Sequence, residues 1–138
     1  MALFTKKRER EVQGFVLKVV NNNCPELRAL DEGPRIDTRA NLTVVVVVIP
    51  VEGKKIAMGR LFTAVTKEFS GTGVGLVVDQ PWALDEVILG FRWEGEMQFV
   101  RAEATHLTPM GGGFYQLGMQ MTKMVLASDY PELGTISI

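Results

Sequence analysis

A single cysteine, Cys24, stands among the 138 residues, which excludes an intrachain disulfide and a cysteine-rich metal site and points to a reducing compartment. Cys24 itself reads as a small, half-buried hydrophobe or an incidental thiol. Histidine is equally scarce: His106 is alone, and no Ser/His/Asp pattern or metal-ligand spacing surrounds it, so no enzymatic activity is expected. Charge of one sign is lacking too. The 15 basic and 16 acidic residues leave a net −1, whereas a surface for long nucleic acid is strongly basic, so no DNA or RNA partner is expected and any anion site must be local. No apolar run approaches the ~18 residues that a membrane span requires. No apolar stretch of signal-peptide type follows the charged residues 6–11, and a cytoplasmic location is expected. What remains, 46% hydrophobic and 22% charged, is the balance of a globular chain that builds one core without metals or disulfides.

Along the chain, Val12, Phe15, Val16, Val19 and Val20 follow the i, i+3, i+4, i+7, i+8 spacing of an amphipathic helix over residues 5–20. Gly14 and the valines keep a strand over residues 14–20 open as the alternative. The mixed charges of residues 6–11 read as a solvated helix face. Asn21, Asn22, Asn23 and Pro25 stop either element, and residues 24–34 read as a connector.

Residues 42–50, with an unbroken valine run from Val44 to Val48, read as a central strand buried on both faces. A turn at Glu52 and Gly53 precedes a long strand over 54–65, bent or bulged at Gly59. Residues 66–72 read as a turn, 73–79 as a strand ended by Gln80 and Pro81. The clearest hairpin joins 84–93 to 97–107 through Glu94 and Gly95. In its second arm Met97, Phe99, Arg101, Glu103 and Thr105 share one face, and Gln98, Val100, Ala102, Ala104 and His106 the other. Pro109 and Gly111 to Gly113 suggest a flexible loop, 114–121 a sixth strand, and 122–128 a short helix before Pro131. Six strands at near-regular spacing with short turns predict a mainly β protein, an antiparallel barrel, with a helical N-terminal extension and a short C-terminal helix.

Two stretches carry chemistry. Arg35 and Arg39 stand four apart just before the valine strand, so in extended chain their planar guanidinium forks share a side. Such forks suit phosphate oxygens or the O6/N7 edge of guanine, although the spacing also suits a solvated pair facing Asp31 or Asp37. The second stretch, Glu68-Phe69-Ser70-Gly71-Thr72-Gly73, offers a carboxylate for N–H donors, a hydroxyl, and glycines that admit a flat ligand close to the backbone. Together they suggest a guanine nucleotide.

Arg35-x-x-x-Arg39 followed by Glu68-x-Ser70-x-x-Gly73 resembles the RxxxR and [D/N]xSxxG signatures of PilZ domains, the bacterial receptors for cyclic di-GMP. The resemblance extends from about Gly33 to about Met124, since Gly73 to Leu76 and Tyr115 to Met121 also look like PilZ strands. Glu68 departs from the pattern by one methylene. The resemblance implies a barrel domain over 33–125, an extension and connector over 1–32, a tail over 126–138, and a monomer or homodimer that engages a protein partner. It implies that Arg35 and Arg39 hold phosphates and guanine edges from a connector, while Glu68 and Ser70 bond the base and Gly73 permits close approach. Cyclic di-GMP is the ligand so implied, with no further cofactor. Ligand binding would order the connector and reposition the N-terminal helix. The alternative is a PilZ-like module that has lost the nucleotide and works by protein contacts. Trp82 and Trp93 offer base-stacking surfaces or barrel packing. Arg101 offers a phosphate contact or an ion pair with Glu103, and Met119, Met121 and Met124 read as gap-filling core.

Overall fold

The computed structural model describes residues 2–23, 40–93 and 95–136. Its elements are a helix, α1 (Ala2–Asn23), and eight strands: β1 (Ala40–Asn41), β2 (Val45–Glu52), β3 (Lys55–Ile56), β4 (Phe62–Ser70), β5 (Gly73–Val78), β6 (Glu86–Trp93), β7 (Glu96–Gly111) and β8 (Phe114–Val125). All pairings are antiparallel. The order β2-β4-β5-β8-β7-β6 returns to β2, because β2 pairs with both β4 and β6. Six strands therefore close into a barrel, as the strand spacing predicts, with β1 appended to β4 and β3 to β2.

Both faces of one wall are covered. Val46 and Val48 point into the barrel with Leu89, Phe91, Val100 and Ala102, whereas Val47 and Ile49 belong to a second cluster with Ile88, Phe99 and Leu133. From Val46 to Ile49 each successive side chain therefore meets apolar neighbours, whereas Val45 at the start of the strand is exposed. The outer cluster lies beneath the C-terminal 3-10 turn Pro131–Thr135, whose Leu133 is buried.

Residues 5–20 form a helix and not a strand. Val12, Phe15, Val16 and Val19 bury their stripe in the same cluster as the barrel interior, with Phe15 edge-on to Phe91 at 5.4 Å. Burial of that face outweighs the β preference of the valines.

Four local expectations are corrected. Residues 54–65 are not one strand: β3 ends at Ile56, a 3-10 turn takes Met58–Arg60 with Gly59 inside it, and β4 begins at Phe62. Of residues 66–72 only Gly71 and Thr72 form the turn, since β4 runs to Ser70 through a bulge between Thr66 and Glu68. The loop at 109–113 is a tight hairpin end: β7 continues through Pro109 to Gly111, and Gly111, Gly112 and Gly113 take φ of 90°, 65° and 85°, values that glycine adopts without strain. Residues 122–128 are not a helix. β8 extends to Val125 and the turns Ala127–Asp129 and Pro131–Thr135 follow.

A break in the wall is mended by one side chain. β4 pairs with β2 through Phe62 to Val65 and with β1 through Glu68 and Phe69, and residues 42–44 span the gap. Thr66, 1% exposed, fills it: its hydroxyl donates to the Leu42 carbonyl at 2.5 Å and accepts from the Val44 N–H at 2.9 Å.

Candidate ligand groove

Why the second motif is concave follows from the β4–β5 hairpin. Ser70 pairs with Gly73 across a two-residue turn of Gly71 and Thr72, and Gly71 has φ of 59°, a left-handed conformation suited to glycine. A Cβ on Gly73 would stand 3.2 Å from the Ser70 carbonyl oxygen, so the smallest residue keeps this pair close.

From there the register runs straight across four strands. Glu68 of β4 pairs with Gly75 of β5, Gly75 with Gly118 of β8, and Gly118 with His106 of β7. The flanking residues Val74, Leu76, Leu117 and Met119 are buried in the barrel, so this row faces outward. Two adjacent glycines in its middle leave a trough with a carboxylate on one bank and an imidazole on the other. Glu68, Ser70 and Gly73 line that groove together with Thr105, His106, Gln116 and Gln120, and its volume is about 220 Å³.

Side chains lie over the glycine floor. A Cβ on Gly75 would come within 2.9 Å of Gln116 Nε2, and one on Gly118 within 2.2 Å of His106 Cε1. Gln116 Nε2 donates to Glu68 Oε1 at 3.2 Å, and Lys67 Nζ donates to Gln116 Oε1 at 3.3 Å. At the other end Gln120 Nε2 donates to the Thr72 hydroxyl. No described lysine or arginine lines the groove. It therefore offers acceptors and amides suited to the N–H edge of a planar base, with the Lys67 ammonium held on Gln116 beside it.

Arg35 and Arg39 lie outside the described residues. The described chain resumes at Ala40, paired with Phe69, and Asn41 pairs with Glu68, so the arginine motif ends in sequence one residue before the strand that borders the groove. The side chain of Trp93 is likewise outside what is described. Trp82 stacks on Phe62 with ring centroids 4.5 Å apart and packs at the barrel rim away from the groove. Arg101 is not paired with Glu103: it donates to both carboxylate oxygens of Glu86, because Ile88 stands opposite Arg101 and Glu86 lies two residues along on the same face.

Gly75, Gly118, Gln116 and Gln120 fall in stretches that the sequence marks as strands and not as parts of a site. Their signal is a period-2 pattern, small or polar residues alternating with the buried Val74, Leu76, Leu117 and Met119. His106 is displaced for a different reason. The alternation places it on the inner face with Ala104, but β7 is irregular between Ala104 and His106, which sends the imidazole outward.

The fold and groove define a closed six-stranded antiparallel barrel with a polar trough on its outer surface. No protein-family model matches the chain, and no curated protein matches it. Among solved structures it is similar to the Bacillus subtilis Inhibitor of motility (MotI/DgrA), at 8% identity over 70% of this chain and 46% of that one, with a TM-score of 0.49. The chain thus spans less than half the length of that structure. No helix among the described residues is long and apolar enough to cross a membrane.

Proposed function

We propose that this chain is a bacterial, cytoplasmic receptor or adaptor of PilZ type that binds cyclic di-GMP and changes its partner contacts on binding. Residues 33–125 form the nucleotide-binding unit, with 1–32 and 126–138 as its extensions. Arg35 and Arg39 meet phosphates and guanine edges, Glu68 and Ser70 bond a base, and Gly73 leaves room for it. One observation carries this reading: Glu68, Ser70 and Gly73 line a single outward groove, and the strand that begins directly after Arg39 pairs beside Glu68. A carboxylate and amides on a glycine floor suit a flat base, and two arginines supply charge for the phosphates.

The test is a calorimetric titration of the protein with cyclic di-GMP, with Arg35→Ala, Arg39→Ala and a GTP control. Micromolar or tighter binding, lost in both variants and absent for GTP, is the expected result. Absence of heat at high protein concentration sinks the receptor reading.

A second reading, a PilZ-like protein-contact module without nucleotide, is favoured by the bond from Gln116 to Glu68 and by an exposed apolar surface beside Trp82 that includes Val45 and Phe114. In that case the variants leave partner binding unchanged.

A further inference from the structure

The face of the His106 imidazole determines what lies over Gly118. The position that a Cβ on Gly118 would take is 2.2 Å from Cε1 and an equal 2.6 Å from both Nδ1 and Nε2. An approach within the ring plane would hold the nitrogens much further off than Cε1, so the ring lies flat on the glycine backbone. Thr105 Oγ1 is 3.1 Å from Nδ1, and the residue is exposed, so one face is seated and the other open. Strands stand ~4.8 Å apart, and with the imidazole lying over Gly118 the seat is two intervals, roughly 10 Å, from the Glu68 strand. That span admits one base against Glu68 beside a second over the imidazole.

We propose that His106 is a specificity-determining residue of the groove: its open face stacks a second base of a ligand whose first base meets Glu68, so the groove selects dinucleotides over mononucleotides. The inference rests on the groove being the nucleotide site, and it adds a contact outside both motifs. Stacking suits this position because a flat ring needs neither a charge nor a fixed donor pattern beneath it. Gly118 is what permits it, since any Cβ there would drive the imidazole off its seat.

The test pairs calorimetry with a proton NMR titration at one fixed pH, read on the imidazole Hε1 signal, which is unambiguous because the chain has one histidine. The probes are cyclic di-GMP, the linear dinucleotide GpG, and GMP. Cyclic di-GMP should move Hε1 upfield, as a ring over the imidazole face does. His106→Ala should bind it about tenfold more weakly. His106→Phe, which keeps a flat face, should stay within about threefold of wild type. GMP should bind wild type and His106→Ala alike. If calorimetry records cyclic di-GMP binding that leaves Hε1 unmoved and His106→Ala unweakened, this proposal is overturned while the receptor reading stands. If cyclic di-GMP gives no heat but GpG moves Hε1 and loses affinity in His106→Ala, the receptor reading fails and the stacking seat stands. No movement with any probe overturns the proposal.

Discussion

Arg101 grips Glu86 at two points, Nε to Oε2 at 2.6 Å and Nη2 to Oε1 at 2.7 Å, and its Nη1 reaches the Tyr130 hydroxyl at 3.4 Å. The pair sits on the outside of the barrel, ahead of the turn that buries Leu133 over Ile49, Ile88 and Phe99. It therefore fastens the C-terminal segment to the wall.

Glu86→Gln should destabilise the protein. The Arg101 hydrogen bonds hold the Glu86 carboxyl below the usual carboxylate range, opposed by partial desolvation and assisted by the Arg101 charge. The Arg101 guanidinium is pushed up, chiefly by the same hydrogen bonds, and stays charged throughout. A depressed carboxylate stabilises the fold above its unfolded pKa and loses that contribution as pH falls through the folded one. The side chains are 24% and 33% exposed, so the two-point geometry is worth about 1–2 kcal/mol near neutral pH and not more. Urea unfolding should show that gap between wild type and Glu86→Gln at neutral pH, closing below about pH 4. An undiminished gap in acid would mean that lost packing, not charge, is responsible.

Thr66→Val should be more damaging than its small change in shape suggests. Valine fills the same space but leaves the Leu42 carbonyl and the Val44 N–H without the Thr66 hydroxyl. Unpaired buried polar groups cost about 1–3 kcal/mol, read as a lower urea midpoint at unchanged slope. Because Leu42 lies directly after β1, amide exchange at Ala40 and Asn41 should also quicken. Wild-type exchange there would show that β1 is held without Thr66.

Much of the barrel was legible because its strongest signals are local. The valine run, the hairpin that pairs Trp93 with Glu96 and the glycine-bounded ends each depend on a few neighbouring residues. What was not legible depends on pairing. Glu68 to Ser70 look like part of the turn that Gly71 and Thr72 make, yet partners on β1 and β5 hold them as strand. Lys123 and Met124 look helical until β7 pairs with them. The groove divides the same way: Glu68, Ser70 and Gly73 were marked by motif, whereas its floor exists only because Gly75 and Gly118 fall in register. One irregularity in β7 then decides which way His106 points.

Gly14→Ala should stabilise the protein. Gly14 sits in the interior of α1, and an added Cβ would meet nothing within 4 Å. Alanine removes backbone freedom from the unfolded chain without strain in the helix, worth about 0.5–1 kcal/mol. A rise in thermal midpoint checks it. A fall would mean that Gly14 is needed for the close approach of some group to the helix between Arg10 and Lys18.

Glu68→Asp tests the departure from the family pattern directly. The longer glutamate reaches Gln116 Nε2 at 3.2 Å over the Gly75 floor, and a nucleotide that takes the carboxylate must compete with that amide. Aspartate draws the carboxylate back by one methylene, releases Gln116, and places the acceptor where the resemblance implies a guanine N–H would meet it. If Glu68 leaves such a donor imperfectly paired, the correction recovers about 1–2 kcal/mol, or roughly five- to thirtyfold in affinity for cyclic di-GMP. Gln116→Ala should recover a smaller part of that gain, because it removes the competitor without moving the carboxylate. Calorimetry on the three proteins orders them Glu68→Asp, Gln116→Ala, wild type. Equal affinities would mean that Glu68 does not touch the base, and weaker binding in Glu68→Asp would mean that the glutamate length, with its Gln116 bond, is itself part of the site.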